Sequence, residues 1–157
     1  NFKKKRYALN IVLNNDNHLL MLLRSRKATL GAGKWGLPAG KINDQEKPFD
    51  AALREMDEEI GSNHSVRLTR KAGPVIDSFY GQKFEIFLFQ YKWINGTIKL
   101  NHEHTAFQWV KREEISTMNV MLGVEEDLAI LEIWPVKFLN KDRLPKAYLA
   151  NNPISFD

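Results

Sequence analysis

The stretch GKINDQEKPFDAALREMDEEIGS, from Gly40 to Ser62, constrains this chain more than any other. Pro48 stands where a first helical turn tolerates a missing N–H, and Gly61 stands where helices commonly stop. A helix over 48–60 is predicted. Each helical residue turns about 100°. On that wheel Phe49, Ala52, Leu53, Met56 and Ile60 share an arc of roughly 100° and form the core face. Glu55, Glu58 and Glu59 share the adjacent arc, while Asp50 and Asp57 point to solvent.

Carboxylates at i, i+3 and i+4 repel one another. Two accounts fit the residues alone. Acidic helix faces are common and usually just solvated. Alternatively, a divalent cation of the Mg²⁺ or Mn²⁺ kind sits among hard oxygen ligands and removes the repulsion.

Spacing carries the matter further. Gly40, then Glu46, then Arg54-Glu55, then Glu58-Glu59 and Gly61 resemble the Nudix box, the signature of the Nudix hydrolases. Seven identities at fixed spacing arise by chance on the order of once in 10⁸ start positions. Ser62 departs from the aliphatic residue usual after the last glycine. The preceding KWGLPAG resembles the approach to the box in many members.

The resemblance implies an α/β/α sandwich with a mixed sheet and a MutT-like activity. That activity is Mg²⁺- or Mn²⁺-dependent hydrolysis of the pyrophosphate of a nucleoside diphosphate-linked substrate, with a nucleoside triphosphate favoured. Dinucleoside polyphosphates, ADP-ribose, NDP-sugars and RNA 5′ ends are the alternatives. A non-catalytic nucleotide sensor is the competing class, although such modules typically lose box glutamates. By the same resemblance Glu55, Glu58 and Glu59 are metal ligands, and the backbone carbonyl of Ala39 is a further one. Glu46 and Arg54 form the pair bracing loop against helix, in keeping with the bidentate geometry of an Arg–carboxylate pair. Glu103, in NHEHTAFQWV, is an additional ligand or the general base, with Glu58 the other candidate for the base. His102 and His104 flank it and are read as exposed loop residues, because one strand cannot turn both histidines and the acid the same way.

Arg24, Arg26, Lys27 and Lys34 precede the box and could reach phosphates. Trp35, Phe79, Tyr80, Phe84 and Trp134 could stack on a base, although most aromatic residues are core. Tyr80, downstream of the box, also resembles a tyrosine that is a feature of diadenosine polyphosphate hydrolases.

The remainder reads as an α+β domain over 1–157, with 135–157 an extended tail or packed appendage. Strands are expected at Tyr7–Leu13, His18–Leu23, Val66–Lys71, Phe84–Trp93 and Phe107–Val110, with a short extended piece at Trp35–Leu37. Asn14–Asn17 is a turn, and Asn95-Gly96 a hairpin turn returning through Thr97–Leu100. One helical turn is expected within Glu113–Met118 and a second helix over Glu125–Trp134, with Leu128, Ile130 and Leu131 inward.

The net charge of +4 favours an anionic ligand mildly and is weak support for nucleic acid beyond an RNA 5′ end. Lys3-Lys4-Lys5-Arg6 reads as a solvated segment. The apolar run after it is too short for a secretory leader or a membrane span, and a native start upstream of Asn1 is left open. With no cysteine, a reducing, cytoplasmic setting is expected, and thiolate sites are excluded. A homodimer is among the open oligomeric options.

Overall fold

The computed structural model describes residues 4–151. β1 (Lys5–Leu13) and β2 (Leu19–Arg24) flank the expected turn, where Asn14 Oδ1 accepts the N–H groups of Asp16 and His18. The two strands meet at Leu13 and Leu19 and then part. β3 (Trp35–Gly36) and β4 (Ala39–Lys41) enter the gap, β3 pairing with β2 and β4 with β1. Next come α1 (Pro48–Ile60), β5 (His64–Ile76), β6 (Phe84–Gly96) and β7 (His104–Val110). β6 lies parallel to β1, whereas β5 on β6 and β7 on β2 are antiparallel. The result is one mixed sheet, with α1 on one face and α2 (Val124–Ile130) on the other.

Strand alternation divides the core. From β1, Ala8 and Val12 pack with Met56 and Ile60 of α1, while Ile11 and Leu13 pack with Leu128 of α2. Burying a side chain such as Met56 or Ile60 stabilises by about 1.5–3 kcal/mol, which anchors the acidic helix to the sheet. Asn10, fully buried among these residues, fixes the helix in register. Its Nδ2 donates to the carbonyls of Pro38 and Ala52, and its Oδ1 accepts the Tyr91 hydroxyl. The segment before β4 and the first turns of α1 are thereby held together.

α1 has the predicted bounds, but its buried face is rotated toward the glutamates. Ala51 is buried and Leu53 is 37% exposed, the reverse of the wheel's assignment. Glu59 consequently falls inside the buried arc. Asp50 and Asp57 are exposed, as expected.

Three other expectations are corrected. Asn95-Gly96 makes no hairpin: β6 runs on to Gly96 and pairs with β5 at His64, so Thr97–Leu100 is not a strand. Instead the Thr97 and Lys99 N–H groups donate to Asn63 and Ile60, closing the end of α1. β5 extends beyond the expected piece at both ends because β6 offers it a long partner. α2 stops at Ile130, where Glu132 takes a positive φ of 51°, and Ile130 is only partly buried. Of the two forms expected after residue 135, the described residues take the packed one. Short 3₁₀ turns at Val136–Phe138 and Lys141–Arg143 and α3 (Lys146–Asn151) follow, with Leu139 and Leu144 buried. The single turn expected near 113–118 is a 3₁₀ turn at Ile115–Thr117. Lys3 and residues 152–157 lie outside the described residues. Among the described residues no helix is long and apolar enough to cross a membrane.

Candidate active site

β4 and α1 bring the acidic face to the mouth of a cavity of about 370 Å³. Ala39, Gly40, Glu55, Glu58 and Glu103 share its lining. The three box glutamates are graded in depth by their places on the helix. The Glu58 side chain is 51% exposed, that of Glu55 is 13% exposed, and Glu59 as a residue is 1% exposed. Gly40 makes the closest approach possible: a Cβ there would lie 2.0 Å from the Glu55 carboxylate carbon.

Glu59 Oε1 accepts the Ala39 N–H at 3.1 Å. Burial, opposed by that hydrogen bond and reinforced by Glu103 and Glu55, pushes the Glu59 carboxyl up to about 9. Burial also raises Glu55, and the charges of Glu58 and Glu103 add to the effect. These carboxylates therefore act on one another at close range.

Arg54 is the local counterweight. Its Nε and Nη2 clasp Glu46 at 2.8 and 2.9 Å, and Nη2 also reaches the Lys41 carbonyl at 3.0 Å. Its Nη1 lies 2.8 Å from Glu55 Oε1 and 3.4 Å from Glu58 Oε1. The Arg54 hydrogen bonds, with the N–H of Asn43, hold Glu46 at about 2. The brace expected from the resemblance is formed, and it extends to two further glutamates.

The donor set suits a hard divalent cation: carboxylate oxygens at graded depth, the Ala39 backbone at the rim, and mutual repulsion that a cation would relieve. Among the described residues, no three His, Cys, Asp or Glu side chains already converge as a metal cage. Arg54 engages Glu55 and Glu58, so a cation would compete with it for them.

Glu103 is held before β7 by Asn101, whose Nδ2 donates to its Oε1 and whose Oδ1 accepts its N–H. His102 is exposed. His104 is not: it is 4% exposed, neither ring nitrogen has a hydrogen-bond partner, and burial followed by the charge of Arg24 lowers it to about 4. The loop reading fails because β7 starts at His104 and pairs it with Arg24.

Among the basic candidates, Arg24 lines the cavity, its Nε donating to the Leu30 carbonyl. Arg26 and Lys27 are exposed on the following loop, and neither they nor Lys34 belong to the lining. Phe79, Tyr80 and Phe84 line the cavity. Tyr80 donates its hydroxyl to the Leu122 carbonyl. Trp134 is core, its Nε1–H on the Asn17 carbonyl, and Trp35 packs against the α2-side cluster.

Sequence reading missed the far wall. Asp77 is buried and accepts the N–H groups of Tyr80 and Phe84, both at 2.7 Å, which folds the 77–84 turn over the cavity. Glu126 and Asp127 of α2 line the same space, and Ser78 donates to Glu126 at 2.9 Å. Burial raises Glu126, and it raises Asp127 well above the usual carboxylate range. Adjacent acids in a short helix read as solvated. Only the following Leu128, a core position beside them, hints otherwise.

A NUDIX domain model matches residues 3–130. An 8-oxo-dGTP diphosphatase of Proteus vulgaris is 39% identical over 59 residues, covering 38% of this chain. The match spans 52% of that relative's own length. An RNA pyrophosphohydrolase of Gluconobacter oxydans (strain 621H) is 28% identical over 126 residues, which is 69% of this chain and 72% of the relative. Among solved structures, a MutT protein from Methanosarcina mazei Go1 superposes with a TM-score of 0.67 at 28% identity, covering 81% of this chain and 92% of its own.

Proposed function

The chain belongs to the NUDIX family, and from that premise we propose that it is a divalent-metal-dependent hydrolase that cleaves the pyrophosphate linkage of a nucleoside triphosphate. One observation carries the choice of substrate. The cavity continues from the glutamates into a space walled by Leu9, Ile86, Phe84 and Val124 and bordered by Glu126 and Asp127. Its basic side chains are Arg24 and Lys41. A second phosphate group would meet carboxylates and apolar carbon at that wall, whereas a nucleobase suits both. One nucleoside therefore fills the cavity, and its polyphosphate lies toward the glutamates.

Glu55, Glu58, Glu59, Glu103 and the Ala39 carbonyl would hold Mg²⁺ or Mn²⁺, which when bound neutralises the pyrophosphate charge and acidifies water. Water attacks one phosphorus, the bond from that phosphorus to the bridging oxygen breaks, and the bridging oxygen leaves with the departing phosphate-containing group. Glu58 or Glu103 takes the proton from water, both being carboxylates on the cavity wall. Arg24 pairs with substrate phosphate, while Arg54 and Glu46 keep the loop and helix in register. The cytoplasmic setting expected of a cysteine-free chain belongs to this proposal.

RNA 5′ ends are the second reading, favoured by the named activity of the Gluconobacter relative. The test is turnover with Mg²⁺ or Mn²⁺ across nucleoside triphosphates, NDP-sugars, ADP-ribose, dinucleoside polyphosphates and triphosphorylated RNA. Nucleoside monophosphate and pyrophosphate released fastest from a triphosphate support the proposal, and preference for RNA moves it to the second reading. Product from none of them points to a sensor.

A further inference from the structure

Beyond residue 130, where the family match ends, the chain turns back and grips the outer side of the cavity wall. Glu125 is fully buried on α2, beside Glu126 and Asp127 of the lining. Its carboxylate pairs with Arg143 Nε and accepts the Asn140 N–H at 2.6 Å. The rest of the Arg143 guanidinium donates to the carbonyls of Met118 and Ile115, both at 2.8 Å, and Asn140 Nδ2 donates to Ser116 at 3.0 Å.

The segment so gripped leads directly into the cavity. Trp35 N–H donates to the Asn119 carbonyl and Met121 N–H to the Trp35 carbonyl, each at 2.9 Å. Met121 lies over Gly31 and Gly36, where added Cβ atoms would come within 2.7 and 3.0 Å of its side chain. Met121, Leu122 and Val124 then form lining. A planar fork serving a carboxylate and two carbonyls at once is a task lysine cannot reproduce.

Resting on the hydrolase reading above, we propose that Arg143, acting through Glu125, is a positioning residue that sets the Met121–Asp127 wall and so governs nucleotide affinity. The wall borders the nucleoside end of the cavity, while the candidate ligands come from α1, β4 and the approach to β7. Loosening the wall therefore weakens binding and leaves the chemical step in place.

Arg143→Met alone strands a buried carboxylate and can fail to fold. Glu125→Gln/Arg143→Met removes that charge together with the grip on the carbonyls, and Arg143→Lys restores charge without the fork. The readouts are kcat and KM on the best triphosphate, and amide exchange over Met118–Asp127. The double variant is expected to raise KM at least about tenfold with kcat within about twofold, and to exchange faster over that segment. Arg143→Lys falls between it and the wild type. A folded double variant with wild-type KM, or one that loses kcat at unchanged KM, overturns the proposal. If the wild type hydrolyses no nucleotide, the hydrolase reading has failed instead. Exchange alone then decides, and unchanged rates over Met118–Asp127 overturn the positioning role.

Discussion

Gly40 and Glu55 share one space: a methyl on Gly40 would fall 2.0 Å from the Glu55 carboxylate carbon and 2.3 Å from its nearer oxygen. The box glycine is therefore required here for close approach, since its φ lies outside the left-handed region. Gly40→Ala leaves the backbone content but forces Glu55 to swing aside. The expected outcome is a small change in melting temperature and a fall in turnover of roughly 10²-fold, the scale of a misplaced catalytic geometry. Wild-type kcat with saturating Mg²⁺ would refute it.

Glu58 and Glu59 differ in depth and should differ in stability while agreeing in function. Glu58→Gln changes a half-exposed side chain, so stability should stay within about 0.5 kcal/mol of wild type. Glu59→Gln keeps an acceptor for the Ala39 N–H and cannot ionise, while burial raises the native carboxyl to about 9 and keeps it mostly protonated near neutral pH, so the metal-free protein should melt at the same temperature below the unfolded value of 4.5 and at a higher one as pH rises from there toward 9. Both should lower turnover by at least about 10²-fold. Activity surviving either change at saturating Mg²⁺ removes that residue from the ligand set.

Arg54 behaves in the opposite way, because several carboxylates depend on it. Arg54→Ala should cost about 1–3 kcal/mol, the lower part of that range applying to a partly exposed side chain, together with most of the activity. Glu46 adds a pH signature. Its folded pKa of about 2 lies below the unfolded 4.5, so its contribution is present above pH 4.5 and is lost as pH falls toward 2. Without Arg54 that acid-side loss should shrink. Thermal melts of both proteins across this range, alongside kcat, provide the check.

Much of the site was legible because helix geometry is local. Pro48, Gly61 and the wheel suffice to place Glu55, Glu58 and Glu59 together on one helix, although not the burial of Glu59, which depends on where the sheet meets that helix. The Glu46–Arg54 brace was legible because it spans a single loop. What was not legible depends on partners distant in sequence. Asn95-Gly96 resembles a hairpin turn, but β5 already occupies the edge of β6 where the return strand would pair. His104 reads as a loop residue until β2 supplies Arg24 opposite it. The pairing of Glu125 with Arg143 and the entry of Asp127 into the cavity wall both depend on where α2 lands on the sheet, which no periodicity within a short helix encodes.

Asp127 gives a pH dependence away from the candidate ligands. Its carboxyl is buried, and burial first, then the charge of Glu126, raises it well above its ordinary 3.8. The folded chain keeps that proton, while the unfolded chain gives it up above about pH 4. The group's contribution is thus fully present below its unfolded pKa and declines as pH rises past it. Glu126, raised by burial and partly lowered by donation from Ser78, lines the same side of the cavity, so some slope should remain when Asp127 alone is changed. Asp127→Asn preserves one donor and one acceptor on the same frame and cannot ionise. Melting temperatures from about pH 4 to pH 8 in chelator should fall less steeply for Asp127→Asn than for wild type, with the two closest at the acid end. Parallel curves would show that Asp127 ionises as freely in the folded chain as in the unfolded one, and that its burial in the cavity wall is wrong.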